Sequence, residues 1–278
     1  MKLKRPLPEG RSLEQLENHY RVEKSIAEKL KASSREERKV IYSTMYDELF
    51  EQVPDHPRLT RRTDDNLCRL LNKNKLSMVR KFLDESTVFG EIAPGDCRFS
   101  FEVARHVKQV YGIDISDQRN PDDPEPDNFS LILFDGYTLD QVESDSIDVS
   151  FSDQLIEHLH PEDTRLHFEM VHRILRKGGR YVFRTPHFLT GPHDVSQFFC
   201  DEPEGFHLKE WTYREIRRVI QAANYSGFEG YWSFKGKFYR FPFIYFAAWE
   251  MILGMLPKKI SRFLAEYLLR TVCAAAVK

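Results

Sequence analysis

The sequence predicts an α/β protein built on a mainly parallel sheet with flanking helices. One reason is rhythm. From about residue 87, short apolar runs of strand length alternate with helical patterns, and that alternation marks βαβ units. The other is composition. The 278 residues are 41% hydrophobic and 30% charged, with a net charge of -2, as in an ordinary globular chain that buries a core without disulfide staples. The near-neutral charge argues against a dedicated nucleic-acid binder. Cys68, Cys97, Cys200 and Cys273 lie far apart with no CxxC pair, which fits reduced thiols in a cytoplasm. The basic N-terminus has no apolar run behind it and is not a secretory signal.

Helices come first. Ser12-Leu13-Glu14-Gln15 is a capping-box pattern, followed by Leu16, Tyr20, Ile26 and Leu30 at helical spacing. Ser34-Arg35-Glu36-Glu37 opens a second helix with Val40, Ile41, Met45, Leu49 and Phe50 on its apolar side. Pro54 and Pro57 stop it, so VPDHPRLTRRTDD reads as a loop and a boundary. A third helix is expected over Asn72–Glu85. Strands are then expected at Thr87–Ile92, Val107–Ile113, Leu131–Phe134, Ile147–Phe151 and Tyr181–Arg184. Helices over Phe99–Val107 and Pro161–Leu175 separate several of them, the second stopped by Gly178-Gly179. NPDDPEPD, residues 120–127, is a loop because its prolines forbid a regular helix. A third capping box, Thr212-Tyr213-Arg214-Glu215, starts a helix with Ile216, Val219 and Ile220 inward. Phe228–Phe234 and Tyr239–Tyr245 complete seven strands, and the last thirty residues read as helices.

The most informative stretch is residues 88–116: strand, tight turn, helix, strand, acidic residue. Such a turn lets backbone amides approach a ligand closely. Asp114 follows Glu91 by 23 positions, which sets a carboxylate at the tip of the neighbouring strand, within reach of ribose hydroxyls. The segment resembles the first motif of the class I S-adenosylmethionine-dependent methyltransferases, roughly E/D-x-G-x-G-x-G. Here it stands as Glu91-Ile92-Ala93-Pro94-Gly95-Asp96-Cys97, with the middle glycine kept and Ala93 and Cys97 in place of the outer two. Phe134-Asp135-Gly136 resembles the family's third strand end. Asp148 to Leu159 resembles its fourth-strand motif, and Leu175-Arg176-Lys177-Gly178-Gly179 its LKPGG turn. The likeness covers about residues 80–235 and is closest to the small-molecule branch, the type 11/23-like methyltransferases.

That resemblance implies a Rossmann-like fold and S-adenosylmethionine as cofactor. It places Glu91, Ala93, Pro94 and Gly95 at the turn, and Asp114 with Ile115 at the ribose. Asp135 and Gly136 fall near the adenine amine. Asp153 and Gln154 face the reacting methyl, the alternative for Asp153 being a surface loop role. His158 either caps the following helix or touches the cofactor.

After the fifth strand comes a loop rich in polar and aromatic groups: Thr185-Pro186-His187-Phe188-Leu189-Thr190-Gly191-Pro192-His193-Asp194-Val195, continuing to Phe198, Phe199 and His207. Ligands of open α/β sheets bind outside these strand ends, and apolar walls with a few polar anchors suit a small-molecule pocket. The candidate catalytic residues are His193 as base, with Asp194, His207 and His158 as supports or alternatives. Histidine's ordinary pKa of ~6.5 suits proton acceptance near neutrality. No metal is expected, since methyl transfer needs none, although His187, His193 and Asp194 are ligand types.

The expected organisation is an N-terminal helical cap at 1–74, a Rossmann-like domain at 75–245 and a C-terminal helical segment at 246–278. The expected activity is methyl transfer from S-adenosylmethionine to the oxygen, nitrogen or carbon of a small-molecule acceptor, with no nucleic-acid partner. Two alternatives stay open. One is a non-catalytic protein on the same fold, because the glycine turn is altered. The other is a peripheral methyltransferase with a lipid-like acceptor, because Phe241–Leu256 carries a single charge and either packs on the core or rests on a membrane surface. A nicotinamide dehydrogenase is disfavoured by the absence of GxGxxG at the first turn.

Overall fold

Two serine capping boxes start the first helices in the computed structural model, which describes residues 2–62 and 64–278. Ser12 Oγ accepts from Gln15 N and Gln15 Oε1 from Ser12 N at the head of α1 (Leu13–Ala32). Ser34 and Glu37 do the same for α2 (Arg35–Gln52). Ile26 and Leu30 of α1 pack on Met45 and Leu49 of α2. The segment expected to be a loop contains a short helix, α3 (Pro57–Arg62), with Pro57 at the first position, where a missing N–H costs nothing. Residue 63 of that segment lies outside the described residues. The next helix, α4 (Asp65–Val79), starts seven residues earlier than expected because Asp64 caps it, accepting from Asn66 N and Leu67 N.

The alternation then unfolds as β1 (Val88–Ile92), α5 (Arg98–Ala104), β2 (Gln109–Asp114), β3 (Phe129–Leu133), β4 (Ile147–Asp153), α6 (Thr164–Ile174), β5 (Leu175–Pro186) and α7 (Tyr213–Ala222). It closes with β6 (Gly227–Phe234), β7 (Lys237–Phe241), α8 (Phe243–Gly254), α9 (Lys258–Leu268) and β8 (Thr271–Val277). The sheet order is β3-β2-β1-β4-β5-β8-β6-β7. Its first five strands are parallel, and β8, β6 and β7 join antiparallel. The carboxyl ends of β1, β2 and β4 therefore share one edge, with Glu91 registered against Gly112 and Phe151.

Three expectations need correction. The sheet has eight strands rather than seven. The added strand, β8, occupies part of the tail expected to be wholly helical. Ala274, Ala275 and Ala276 are fully buried, and these small side chains fill the narrow space of a strand covered on both faces. The strand expected at Tyr239–Tyr245 ends at Phe241, because Pro242 has no N–H for the ladder and caps α8 instead. The helix expected over Pro161–Leu175 with Gly178-Gly179 as its stop ends at Ile174, and both glycines lie inside β5. Among the described residues, no helix is long and apolar enough to cross a membrane.

Two buried carboxylates attach the flanking helices. Glu250 of α8 accepts from His187 Nε2 at 3.1 Å and from the backbone N–H groups of Tyr213 and Arg214, so it caps α7 from a neighbouring element. Asp163, ahead of α6, takes Arg38 of α2 in a two-point contact at 2.7 and 3.1 Å, with Tyr137 Oη donating at 2.7 Å. Both Arg38 and Asp163 are nearly inaccessible. Removing the guanidinium leaves the buried carboxylate with only the half-exposed Arg35, 3.2 Å away, as counter-charge, so Arg38→Ala is expected to lower unfolding free energy by roughly 3 kcal/mol in urea titration. A loss under about 1 kcal/mol would mean that the N-terminal helices do not depend on this pair.

Candidate active site

The chain leaves β1 through a turn with three residues at positive φ: Ala93 at 57°, Gly95 at 63° and Cys97 at 60°. Only glycine adopts this region without steric cost. The turn folds back so that Gly95 N donates to Asp114 Oδ2 at 3.1 Å, while Ile115 N donates to Asp114 Oδ1 at 2.7 Å. Burial raises the Asp114 pKa, against these backbone donors and the nearby Arg58 charge. A carboxylate has about four acceptor sites, so roughly two remain for the hydroxyl pair of a ribose. Glu91 is buried on β1 and accepts from Ser100 Oγ at 2.6 Å. Burial pushes its pKa up to about 7, with Lys75 and Ser100 opposing. These groups, the backbone of Pro94 and Gly95 included, fit the ribose and methionine parts of S-adenosylmethionine.

The remaining cofactor candidates have partners of their own. Asp135 accepts from Tyr137 N, Thr138 N and Lys39 Nζ, which hold its pKa down despite partial burial. Gly136, at φ 83°, packs by Ile115 and Tyr42. Asp153 is held by Arg184 through two contacts of 2.7 Å, with Lys75 3.7 Å away. Gln154 turns at φ 58° and its N–H donates to Arg184 O at 2.9 Å.

Beside Gln154 opens a cavity of about 540 Å³. His158, His193, Asp194 and His207 all line it. Behind them Glu210 is buried and holds two imidazoles: His193 Nδ1 at 3.2 Å and His207 Nδ1 at 2.8 Å. It also accepts from His193 N at 2.7 Å. Burial works against the Glu210 charge, but the two histidines hold its pKa down to about 2. Burial likewise opposes the His207 charge, yet the Glu210 bond and the charges of Glu157 and Asp194 raise its pKa to about 9. His158 goes the other way. Burial and the charges of His207 and Arg58 drive it down to about 3, and its Nδ1–H donates to Phe206 O at 2.8 Å, leaving Nε2 as the lone-pair nitrogen. Asp194 accepts from Ser196 N, Gly205 N and His207 N, so it shapes the loop from within. His187 turns away to Glu250, so His187, His193 and Asp194 belong to separate networks rather than to one metal-ligating group.

The opposite wall comes from Tyr46 of α2 and from residues that sequence reasoning did not single out: His19 and Glu23 of α1, then His56 and Arg58. Arg11 donates to His19 Nδ1 at 2.9 Å, so the neutral ring carries its proton on Nε2 and donates to Glu23 Oε1 at 2.8 Å. Arg58 N donates to His56 Nδ1 in the same way, which puts the proton of the neutral ring on Nε2, 3.6 Å from Glu23. His19, Glu23 and His56 stand within metal-ligand distance of one another, as do Glu157, His158 and His207. In the first group both ligating nitrogens carry protons. In the second His207 is protonated at neutral pH. Both are hydrogen-bonded clusters. A signal existed for the first: His19 and Glu23 sit four apart on the side of α1 that also holds Leu16, Tyr20 and Ile26.

Residues 90–183 match the family model described as a methyltransferase domain. The matched stretch is 94 of the 278 residues and runs from within β1 to within β5. Among solved structures, this chain is similar to phosphoethanolamine N-methyltransferase 1 of Haemonchus contortus, solved with phosphoethanolamine and S-adenosylhomocysteine. The TM-score is 0.55 at 15% identity, over 88% of this chain and 50% of that one. It is also similar to the Burkholderia thailandensis 1,6-didemethyltoxoflavin-N1-methyltransferase, with a TM-score of 0.52 at 11% identity over 88% and 91% of the two chains. At these identities the likeness is one of fold. No curated protein matches the sequence.

Two outcomes are expected of this site. The His207 imidazole should titrate near pH 9 by NMR, and Glu210→Gln should bring that value down, since burial then meets less opposition. The folded value lies above the unfolded one, so His207 contributes stability that is full below its ordinary 6.5 and lost as pH rises through about 9. At the turn, Ala93→Gly should raise unfolding free energy by roughly 0.5–1 kcal/mol, the relief of a left-handed alanine less glycine's greater freedom when unfolded. An unchanged urea midpoint would show that the turn holds no strain at Ala93.

Proposed function

We propose that this chain transfers the methyl group of S-adenosylmethionine to a small-molecule acceptor held between the N-terminal helices and the loop after β5. The observation that carries this reading is contiguity. Gln154 follows β4 at the cofactor edge and also lines the 540 Å³ cavity, and the charge of Arg58, on the opposite wall, is felt by Asp114. The first 74 residues then serve as a cap on the acceptor. Cys68, Cys97, Cys200 and Cys273 lie far apart in the sequence with no CxxC pair, which fits a reducing compartment, and we place the protein in the cytoplasm.

When bound, the cofactor supplies an electrophilic methyl on a sulfonium. The protein's own part is alignment, exclusion of water and handling of the acceptor's proton. His207 is already protonated near neutrality and serves to position Glu210. His158 is a weak base, but its Nε2 lone pair suits a hydrogen bond from an acceptor hydroxyl or amine. His193 is the base: Glu210 sets Nδ1 as its donating nitrogen, which leaves Nε2, now 3.1 Å from Thr190 Oγ1, to take a proton.

Calorimetric titration with S-adenosylhomocysteine should show binding, weakened about ten- to a hundredfold by Asp114→Asn through loss of charge-assisted bonds. With an acceptor identified by labelled-methyl transfer into a metabolite extract, His193→Ala should lower turnover by roughly 10²–10⁴ and leave S-adenosylhomocysteine affinity unchanged. A folded protein that binds no S-adenosylhomocysteine would sink the enzyme reading in favour of a non-catalytic protein on this fold.

A further inference from the structure

Helices α8 and α9 each bury one stripe and leave another bare. On α8 the core takes Phe246, Glu250 and Leu253, while Ile244, Met251 and Met255 are 72%, 56% and 81% exposed. On α9 Ser261 and Ala265 face inward, while Ile260, Phe263 and Tyr267 are 51%, 63% and 66% exposed. The spacings of seven and four, and of three and four, put each trio on a single side of its helix. Phe234, at the β6–β7 turn, lines a shallow cleft with Tyr267 and extends the apolar surface. Scattered exposed apolar side chains are ordinary, but a grouped set of this size marks an interaction surface.

Charge selects the occupant. Residues 235–270 hold seven Lys or Arg against two Glu, a net of +5 in a chain whose total is -2. Of the two acids, Glu250 is buried under α7 and Glu266 is paired with Arg270, while Glu202 and Glu229 from outside the stretch pair with Lys258 and Arg240 and bring the balance to +3. Lys258 and Lys259 stand at the α8–α9 turn, beside Met255 at its tip. A second copy of the chain would bring two cationic faces together, which disfavours self-association here. An anionic lipid surface complements both the apolar stripes and the cations.

We propose that the α8–α9 face docks the protein on an anionic membrane surface, in the interface plane. The apolar stripes enter the boundary of headgroups and acyl chains, and the lysines at the turn meet the headgroups. This face adjoins the acceptor loop: Thr190 Oγ1 lies 3.1 Å from Arg270 O, and Lys258 Nζ is 2.6 Å from Glu202. The proposal stands apart from methyl transfer, because none of its residues touches the cavity.

Flotation with phosphatidylcholine vesicles, with and without phosphatidylserine, tests it. The whole chain should float with the phosphatidylserine vesicles and bind about tenfold or more weakly without that lipid or in high salt. Met255→Glu with Phe263→Glu should abolish flotation while the thermal midpoint and S-adenosylhomocysteine affinity hold. Lys258→Glu with Lys259→Glu should weaken binding about tenfold or more. Failure of the unmutated chain to float on anionic vesicles overturns the proposal, as does flotation that ignores Met255→Glu with Phe263→Glu. A dimer in light scattering that the same double substitution disperses would assign the face to a second copy instead.

Discussion

A parallel strand must hand its chain to a helix within a few residues while leaving backbone open toward the sheet edge, and this protein meets that constraint with left-handed backbone. Ala93, Gly95 and Cys97 all sit at positive φ. The reversal they produce brings Gly95 N to Asp114, which ties the tips of β1 and β2 together. The candidate cofactor groups of this edge, the backbone of Pro94 and Gly95 and the carboxylate of Asp114, are set side by side by that tie. Glycine would adopt the same turn with less strain, so the altered motif bears on stability more than on shape. Cys97 also fills core space beside Phe99, which a glycine would leave empty.

Buried carboxylates organise the acceptor side. Glu23 receives His19 and the backbone of Phe206, with His56 close by, and so joins α1 to a loop more than 180 residues away. Burial would push its pKa up, but these donors hold it well below the usual carboxylate range. Glu210 repeats the arrangement with His193 and His207. An ionised carboxylate is tolerated inside a protein only when such donors replace its water. Each of these two therefore fixes the direction of its histidines, and together they set the two walls of one cavity.

The parallel half of the sheet was legible because its strands and its two crossover helices, α5 and α6, carry local patterns that survive folding. Strand β8 was not. In Thr-Val-Cys-Ala-Ala-Ala-Val the three alanines offset the β-branched Thr271, Val272 and Val277, and its state comes from the slot between β5 and β6. The start of α4 was missed because Asp64 is a cap hidden among charged neighbours. On the acceptor side, the loop after β5 announced itself through its density of His, Asp and Phe. The wall it faces did not, since nothing local links Glu23 or Arg58 to His193. Glu210 lay within reach of inference, being three residues after His207, but an isolated Glu before a tryptophan reads as surface.

The late strand also explains the tail. Strand β8 pairs antiparallel to both β5 and β6, so the chain leaving β7 has to travel the length of the sheet and return before it can enter the slot. Helices α8 and α9 make that journey on one face. A helix in that position needs a single apolar stripe. Helix α8 has far more: of Phe243–Gly254 only Glu250 is charged, and that residue is already used to cap α7. Fold demand accounts for Phe246 and Leu253 and leaves Ile244, Met251 and Met255 without a structural reason. Apolar side chains left in water gain nothing for the isolated fold, so their grouping next to exposed lysines is accounted for by a surface outside the chain.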